Sequence, residues 1–223
     1  MWGFQRWRKL LFLHWPVPVD AMRAAVPKCF DLDLHEDIAY VGVVPFAMEG
    51  VRPRLVPELA AFEFLETNVR TYVVRDGEPG VYFFSLEAAS RLAVAAARVA
   101  FGLPYHYARM QMQEEGGIVH YATKRASTGA SHEVRYRVGD PLGASKLGTL
   151  EHFLLERYLL FTERDGASRR GQVHHTPYPA HRASLVDVHD ELVSAAGLPA
   201  VSGQPAHVHY SPGVDVEVFA LER

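Results

Sequence analysis

The stretch AFEFLETNVRTYVV, residues 61–74, decides how the rest of the chain is read. It is rich in β-branched and aromatic residues, with no Gly or Pro inside it, which predicts a long strand. Side chains alternate along a strand, so Phe62, Phe64, Glu66, Asn68, Arg70 and Tyr72 share one face. Leu65, Thr67, Val69, Thr71 and Val73 share the other, an ordinary half-buried surface. The first face sets an acid, an amide, a guanidinium and a phenol beside two phenylalanines. It is too aromatic for a solvated face and too charged for a dry core. A polar-lined cavity accounts for both properties; a buried ion pair of Glu66 with Arg70 or with a neighbour, or a solvent-facing strand, is the competing reading.

Outward from this strand, 38–46 and 80–85 are further strands, with Asp76-Gly77 marking the hairpin before the second. Residues 86–101 have helical composition, with Ser85 as expected N-cap and Gly102 as stop. Three strands follow within 104–113, 117–126 and 132–138, joined by Gly-containing turns as an antiparallel meander. Thr149 is placed to cap a helix over 150–160, and the chain returns to strands around 171–188 and 206–220. Near the N-terminus, Lys9 to His14 reads as a strand and Asp20 as the cap of a short helix ended by Pro27. This order predicts an α+β, mostly β fold or a β-barrel carrying a few external helices, rather than a parallel α/β sheet. No linker or internal repeat divides residues 1–223, so a single domain is expected.

The chain has 223 residues, 48% apolar and 22% charged, an ordinary globular composition. Its 23 basic and 26 acidic residues give a net charge of -3 with no basic footprint, so nucleic acid is not an expected partner. The apolar run Leu10 to Leu13 is too short for a secretory segment or a membrane span. With one cysteine, Cys29, no internal disulfide can form, and a cytoplasmic location is expected. Twelve histidines concentrate at His174, His175 and His181 and at His207 and His209. They lack a Cys partner or a His-Glu-x-x-His helix, so no metal is assigned. Phosphate-cradling Gly motifs and a Gly-x-Ser-x-Gly elbow are absent too, so no cofactor and no hydrolase triad is expected. Glu151, Glu156 and Arg157 read as exposed structural contacts, and Tyr158 as core.

The segment ARVAFGLPYHYA (97–108) resembles the acetoacetate decarboxylase stretch Gly-Arg-Glu-x-x-Gly-x-Pro-Lys-Lys-x-Ala, matching at Arg98, Gly102, Pro104 and Ala108. The 64–69 strand is similar to that superfamily's aromatic-x-Glu strand, and Glu66 matches its active-site glutamate. Almost the whole chain resembles a YqjF-like bacterial family of unknown function in the same superfamily. The motifs that carry this are HWPVP, VGVVPF, NVRTYV, YFFSL, FGLPY, LEHFLLERY and HHTPYP, in order. The resemblance implies an acetoacetate decarboxylase-like β-barrel, a double-sheet cone around an internal cavity, and family analogy alone admits a homo-oligomer.

The departures bear on chemistry. Acetoacetate decarboxylases form a Schiff base through the first lysine of the pair, with its pKa depressed by its neighbour. Tyr105 and His106 stand at those positions here, and Val99 replaces the family's glutamate. A phenol cannot form an imine, so that mechanism does not carry over; Lys124, beside Arg125, is the nearest amine in sequence. Two functions remain. In the first, a lyase-like enzyme acts on a small organic acid or carbonyl compound without a Schiff base. Glu66 would be general acid or base, Tyr105 and His106 proton or hydrogen-bond donors, and Arg70 or Arg125 the carboxylate clamp. Phe64, Asn68, Tyr72 and, by resemblance, His175 would complete the ligand site. In the second, the same barrel is a non-catalytic small-molecule binding protein.

Overall fold

The computed structural model describes residues 1–164 and 166–222. Its strands are β1 (Gly3–Val17), β2 (Asp31–Leu32), β3 (Ala39–Pro53), β4 (Phe62–Arg75), β5 (Glu78–Ala88) and β6 (Tyr105–Glu115), followed by β7 (Ile118–Arg125), β8 (Ser131–Gly143), β9 (Leu159–Arg164), β10 (Ala167–His174), β11 (Ala180–Asp190) and β12 (His207–Val218). Helices α1 (Val19–Ala25), α2 (Arg91–Phe101), α3 (Leu150–Leu155) and α4 (Leu192–Ala195) lie between them. No helix among the described residues is long and apolar enough to cross a membrane.

The strands form one sheet that closes on itself twice. One ring runs β4-β5-β6-β7-β8-β11-β12-β1-β3 and back to β4. The other leaves β5 for β9, passes through β10 to β12, and returns by β1 and β3 to β4. β5 is the fork. Its residues Val81 and Tyr82 run parallel to β9, and Leu86 to Ala88 run parallel to β6. The mostly β barrel with a few helices matches the expected fold class, and its closure into two rings is added by the structure.

Because β1, β3 and β4 serve both rings, they are covered on both faces. That explains the unbroken apolar run of β3, where Ala39 to Met48 are all buried. Leu11, Leu13, Val43, Val69, Tyr121 and Tyr136 pack inside the larger ring. Leu10, Phe12, Val44, Phe46 and Met48 point into the smaller one. Each such fully buried side chain is worth roughly 1.5–3 kcal/mol of transfer free energy.

Local boundaries differ from expectation where tertiary pairing overrides composition. β5 continues through Ala88 because Leu86 and Ala88 are held in ladders with β4 and β6. The helix therefore begins at Arg91, and its cap is Ser90, not Ser85: Ser90 Oγ accepts from the Ala93 N–H at 3.2 Å. Gly102 ends it as expected, in the left-handed region at φ 63° where a side chain would be strained. Asp20 lies inside the first turn of α1, and no side chain caps that helix. Thr149 does cap α3, accepting from His152 N–H at 3.3 Å, but α3 stops at Leu155. Leu159 and Leu160 are recruited instead as β9, between β10 and β5.

Candidate functional site

The smaller ring encloses a cavity of about 180 Å³. Phe62, Phe64, Glu66, Asn68 and Arg70, alternate residues of β4, form one wall, so the polar-aromatic face lines it. β1 and β3 supply Leu10, Trp7, Val44, Phe46 and Met48; β5 supplies Val81, Phe83 and Leu86. Ala93, Ala96 and Ala97 of α2, small side chains that let the helix lie close to the sheet, cover it together with Phe101. Most of the lining is apolar, so each polar group in it stands out.

Glu66 is the first. It is 2% exposed, and its Oε2 accepts the Tyr105 O–H at 2.9 Å. Burial drives its carboxyl up to about 8 against the pull of Tyr105, with Glu87 nearby adding to the rise. Glu66 is therefore a neutral acid at pH 7, with one oxygen occupied by Tyr105 and the other free to donate a proton. Burial and the neighbouring carboxyl push the Tyr105 phenol well above its ordinary value, so it serves as a donor and not as a base.

This ionisation is linked to folding. Glu66 ionises near 4.5 when unfolded and near 8 when folded, so between these values the folded state holds the extra proton. Stability from this group is fullest below pH 4.5 and declines as pH rises to 8, by a few kcal/mol as an order of magnitude. Glu66→Gln is expected to flatten the decline of urea-unfolding free energy between pH 5 and 8 relative to the wild type. Identical slopes would mean that Glu66 is ionised in the fold.

Arg70 is the second group. It is 8% exposed, its Nη2 donates to Leu154 O at 3.1 Å, and its Nε has no partner. Among the described residues no carboxylate pairs with it. The guanidinium lies 5.5 Å from the Phe12 ring centroid and 5.9 Å from that of Tyr72. The competing reading of a Glu66–Arg70 ion pair is thus not what the structure contains: Glu66 faces Tyr105, and Arg70 keeps an unneutralised charge. Between them Asn68, 5% exposed, leaves its Oδ1 without a partner. Tyr72, the next residue on this face, lies beyond the cavity lining. It donates to Leu154 O at 2.7 Å, and His14 Nε2 lies 2.7 Å from its hydroxyl. Since that phenol's proton is already directed to Leu154, His14 donates to it. Burial and the charge of Arg70 hold His14 neutral.

The other predicted residues go elsewhere. Tyr105 pairs with Leu86 and faces the cavity, so His106 pairs with Glu87 on the opposite side of the sheet. Burial and the charges of Arg125 and Arg98 lower His106 to about 4. The two residues at the lysine-pair positions therefore do not act on one ligand in this cavity. Arg125, expected as a carboxylate clamp, is occupied by Glu87 inside the larger ring: its Nε and Nη2 reach Glu87 Oε1 at 3.0 and 2.5 Å. His175 lies behind the wall, its ring centroid 4.7 Å from those of both Tyr158 and Tyr178, with Nδ1 2.7 Å from Thr176 O. Lys9, Lys28, Lys124 and Lys146 all stand outside the cavity wall, and Lys124 is exposed.

Of the residues read as exposed contacts, Glu156 is buried and Arg157 half-buried. Glu156 accepts from Tyr158 O–H at 2.7 Å and from Tyr178 N–H at 3.0 Å. Arg157 lines the cavity while its Nη1 holds Asp33 at 2.7 Å. The break of the helix at Glu156 removes the periodicity that would have signalled either. Among the described residues no group of three or more His, Cys, Asp or Glu is placed to hold a metal.

The profile of the DUF2071 family, described as an uncharacterized conserved protein, matches residues 4–215. The uncharacterized protein YqjF of Bacillus subtilis (strain 168) is 36% identical over 222 residues, covering 98% of this chain and 91% of its own. Among solved structures, the enduracididine biosynthesis enzyme MppR, complexed with the condensation product of pyruvate and imidazole 4-carboxaldehyde, superposes with a TM-score of 0.65. It has 13% identity, over 99% of this chain and 88% of that one. Acetoacetate decarboxylase from Legionella pneumophila gives a TM-score of 0.64 and 15% identity, over 98% and 88%. At these identities the likeness to the solved structures is one of fold.

Proposed function

The chain belongs to the DUF2071 family, and from that premise we propose that it binds a small organic acid bearing a carbonyl in the smaller ring and acts on it by acid catalysis without an imine. One observation carries this reading. Arg70, buried in an apolar cavity wall, has no carboxylate partner among the described residues and an orphaned Nε. Burying an unpaired charge costs several kcal/mol unless something neutralises it, and a ligand carboxylate would do so through charge-assisted bonds. On the same strand face, the neutral Glu66 presents a proton to a ligand oxygen, held in place by Tyr105. Such a donor stabilises charge developing on a carbonyl oxygen, as when an enolate forms. Solved proteins of this fold include an acetoacetate decarboxylase and an enzyme holding a pyruvate-derived product, which agrees with a small carbonyl acid as ligand.

The placement of all four lysines outside the wall separates this chemistry from Schiff-base decarboxylation. It also favours a second reading, in which the barrel retains its ligand without turnover. Native mass spectrometry of freshly purified protein, followed by identification of released molecules, tests occupancy. Turnover of candidate keto acids by wild type and Glu66→Gln then separates the readings. Loss of at least ~100-fold in the variant, with its fold intact, is expected for a general acid. Undiminished turnover removes Glu66 from the role, and a retained acid that no condition turns over supports the binding protein.

A further inference from the structure

The cavity is graded along its length, and three strands agree on the direction. On β4, Arg70, Asn68 and Glu66 are buried, while Phe64 and Phe62 are half-exposed. On β3, the lining residues Val44, Phe46 and Met48 are buried and Val51 is half-exposed. On β1, Leu10 is 2% exposed, Trp7 and Gln5 are intermediate, and Trp2 reaches 43%. The register aligns these gradients, pairing Val44 with Asn68, Met48 with Phe64 and Trp7, and Val51 with Phe62. The mouth therefore lies at Phe62 and Trp2, where Phe101 meets Trp2 edge to face at 4.9 Å. Arg70 stands at the opposite end of the β4 wall, its backbone roughly 26 Å along the strand from that of Phe62.

We infer that the ligand is an amphipathic monocarboxylate bound head-inward, with its carboxylate on Arg70 and an apolar chain or ring running past Glu66 to the aromatic mouth, and not a short hydrophilic acid. This rests on the carboxylate reading given above and specifies its class. Beyond Glu66 the wall is mostly Phe64, Phe62, Met48 and Phe101, surfaces that gain from covering hydrocarbon, and the one amide near the mouth, Gln5, has its Oε1 taken by the Trp7 Nε1–H at 2.8 Å. The unpartnered Oδ1 of Asn68, between Arg70 and Glu66, is an acceptor on the same wall, so a hydroxyl near the ligand carboxylate could donate to it.

Titration calorimetry of the whole chain with butanoate, hexanoate, octanoate and their 3-oxo counterparts tests this, with octan-1-ol as the headless control. Kd is expected to fall about fourfold for each added methylene. Octanoate should bind the wild type far better than Arg70→Met, and octan-1-ol should bind both alike. In a Trp7→Phe/Trp15→Phe variant, 16-bromohexadecanoate, long enough when extended to run from Arg70 to the mouth, should quench Trp2, because the bromine is carried there. Binding that is tightest for the shortest acids and flat with length overturns this class while the carboxylate site stands. Chain-length dependence without quenching of Trp2 overturns the head-inward orientation and with it the inference. If no acid of any length binds, the carboxylate reading itself fails.

Discussion

Arg70→Met is expected to raise the thermal midpoint while weakening carboxylate binding by about 100-fold or more. The two effects have one origin. In the ligand-free fold Arg70 bears the desolvation cost of a buried cation with no carboxylate among the described residues to offset it. Its one hydrogen-bonded partner, Leu154 O, keeps the Tyr72 O–H at 2.7 Å when the guanidinium is removed, so no carbonyl is orphaned. Methionine fills similar volume and its sulfur packs well on the Phe12 and Tyr72 rings, recovering part of the lost cation–π attraction. A net gain of about 1–2 kcal/mol corresponds to roughly 2–8 °C for a chain of this size. A ligand carboxylate, in contrast, loses the lining guanidinium that has no carboxylate partner among the described residues, Arg157 being held by Asp33, a loss of roughly 3–5 kcal/mol in binding. Thermal melts with and without saturating acid read both quantities. A lowered midpoint would make Arg70 a structural residue and remove the argument from its unpaired charge.

Arg125→Met should act in the opposite sense. Glu87 is 0% exposed, accepts two bonds from Arg125 on Oε1, and has only the Ser85 hydroxyl at 3.3 Å on Oε2. Removing the guanidinium leaves that carboxylate buried and uncompensated, at a cost of about 3–5 kcal/mol, or roughly 6–20 °C in midpoint. Replacing both residues, Glu87→Met with Arg125→Met, should restore most of the loss, because an apolar pair owes no desolvation. Denaturant melts of the two single variants and the double one form the cycle. Carboxylate binding to whatever protein remains folded should match wild type, since the pair faces the larger ring and not the cavity. A shared loss of binding would place Arg125 in the ligand site after all.

These two arginines mark where sequence reasoning reaches its limit. Arg70 was legible because its environment is written locally: period-two alternation puts it on one face with Phe64, Glu66 and Asn68, and alternation is a property of the strand itself. The same rule applied to Tyr105 and His106 would have sent them to opposite faces, so their separation was available in the sequence. Arg125 was not legible, because its partner lies 38 residues upstream and is brought to it by the parallel step from β5 to β6 and the hairpin from β6 to β7. Arg157 was hidden for a related reason. Leu159 and Leu160 fit a helix continuing from α3 as well as they fit β9, and only the ladders with β5 and β10 decide between them. The barrel itself was readable from strand order and turn residues, whereas the fork at β5 depends on pairings between segments that no local pattern records.

The closure of both rings through β12 has a kinetic consequence. β12 pairs with β1 from Gly3↔Val218 to His14↔His207, the most sequence-distant contacts in the sheet, and it also joins β10 and β11. Ordering so many strands before their farthest partner arrives requires long loops to close early, which slows folding. During synthesis, β1 must wait for nearly the whole chain to emerge with one apolar edge unpaired, a state open to misassociation. Refolding yield should therefore fall with protein concentration more steeply than equilibrium stability alone would suggest, and chaperones that shield β1 until β12 is made would relieve it.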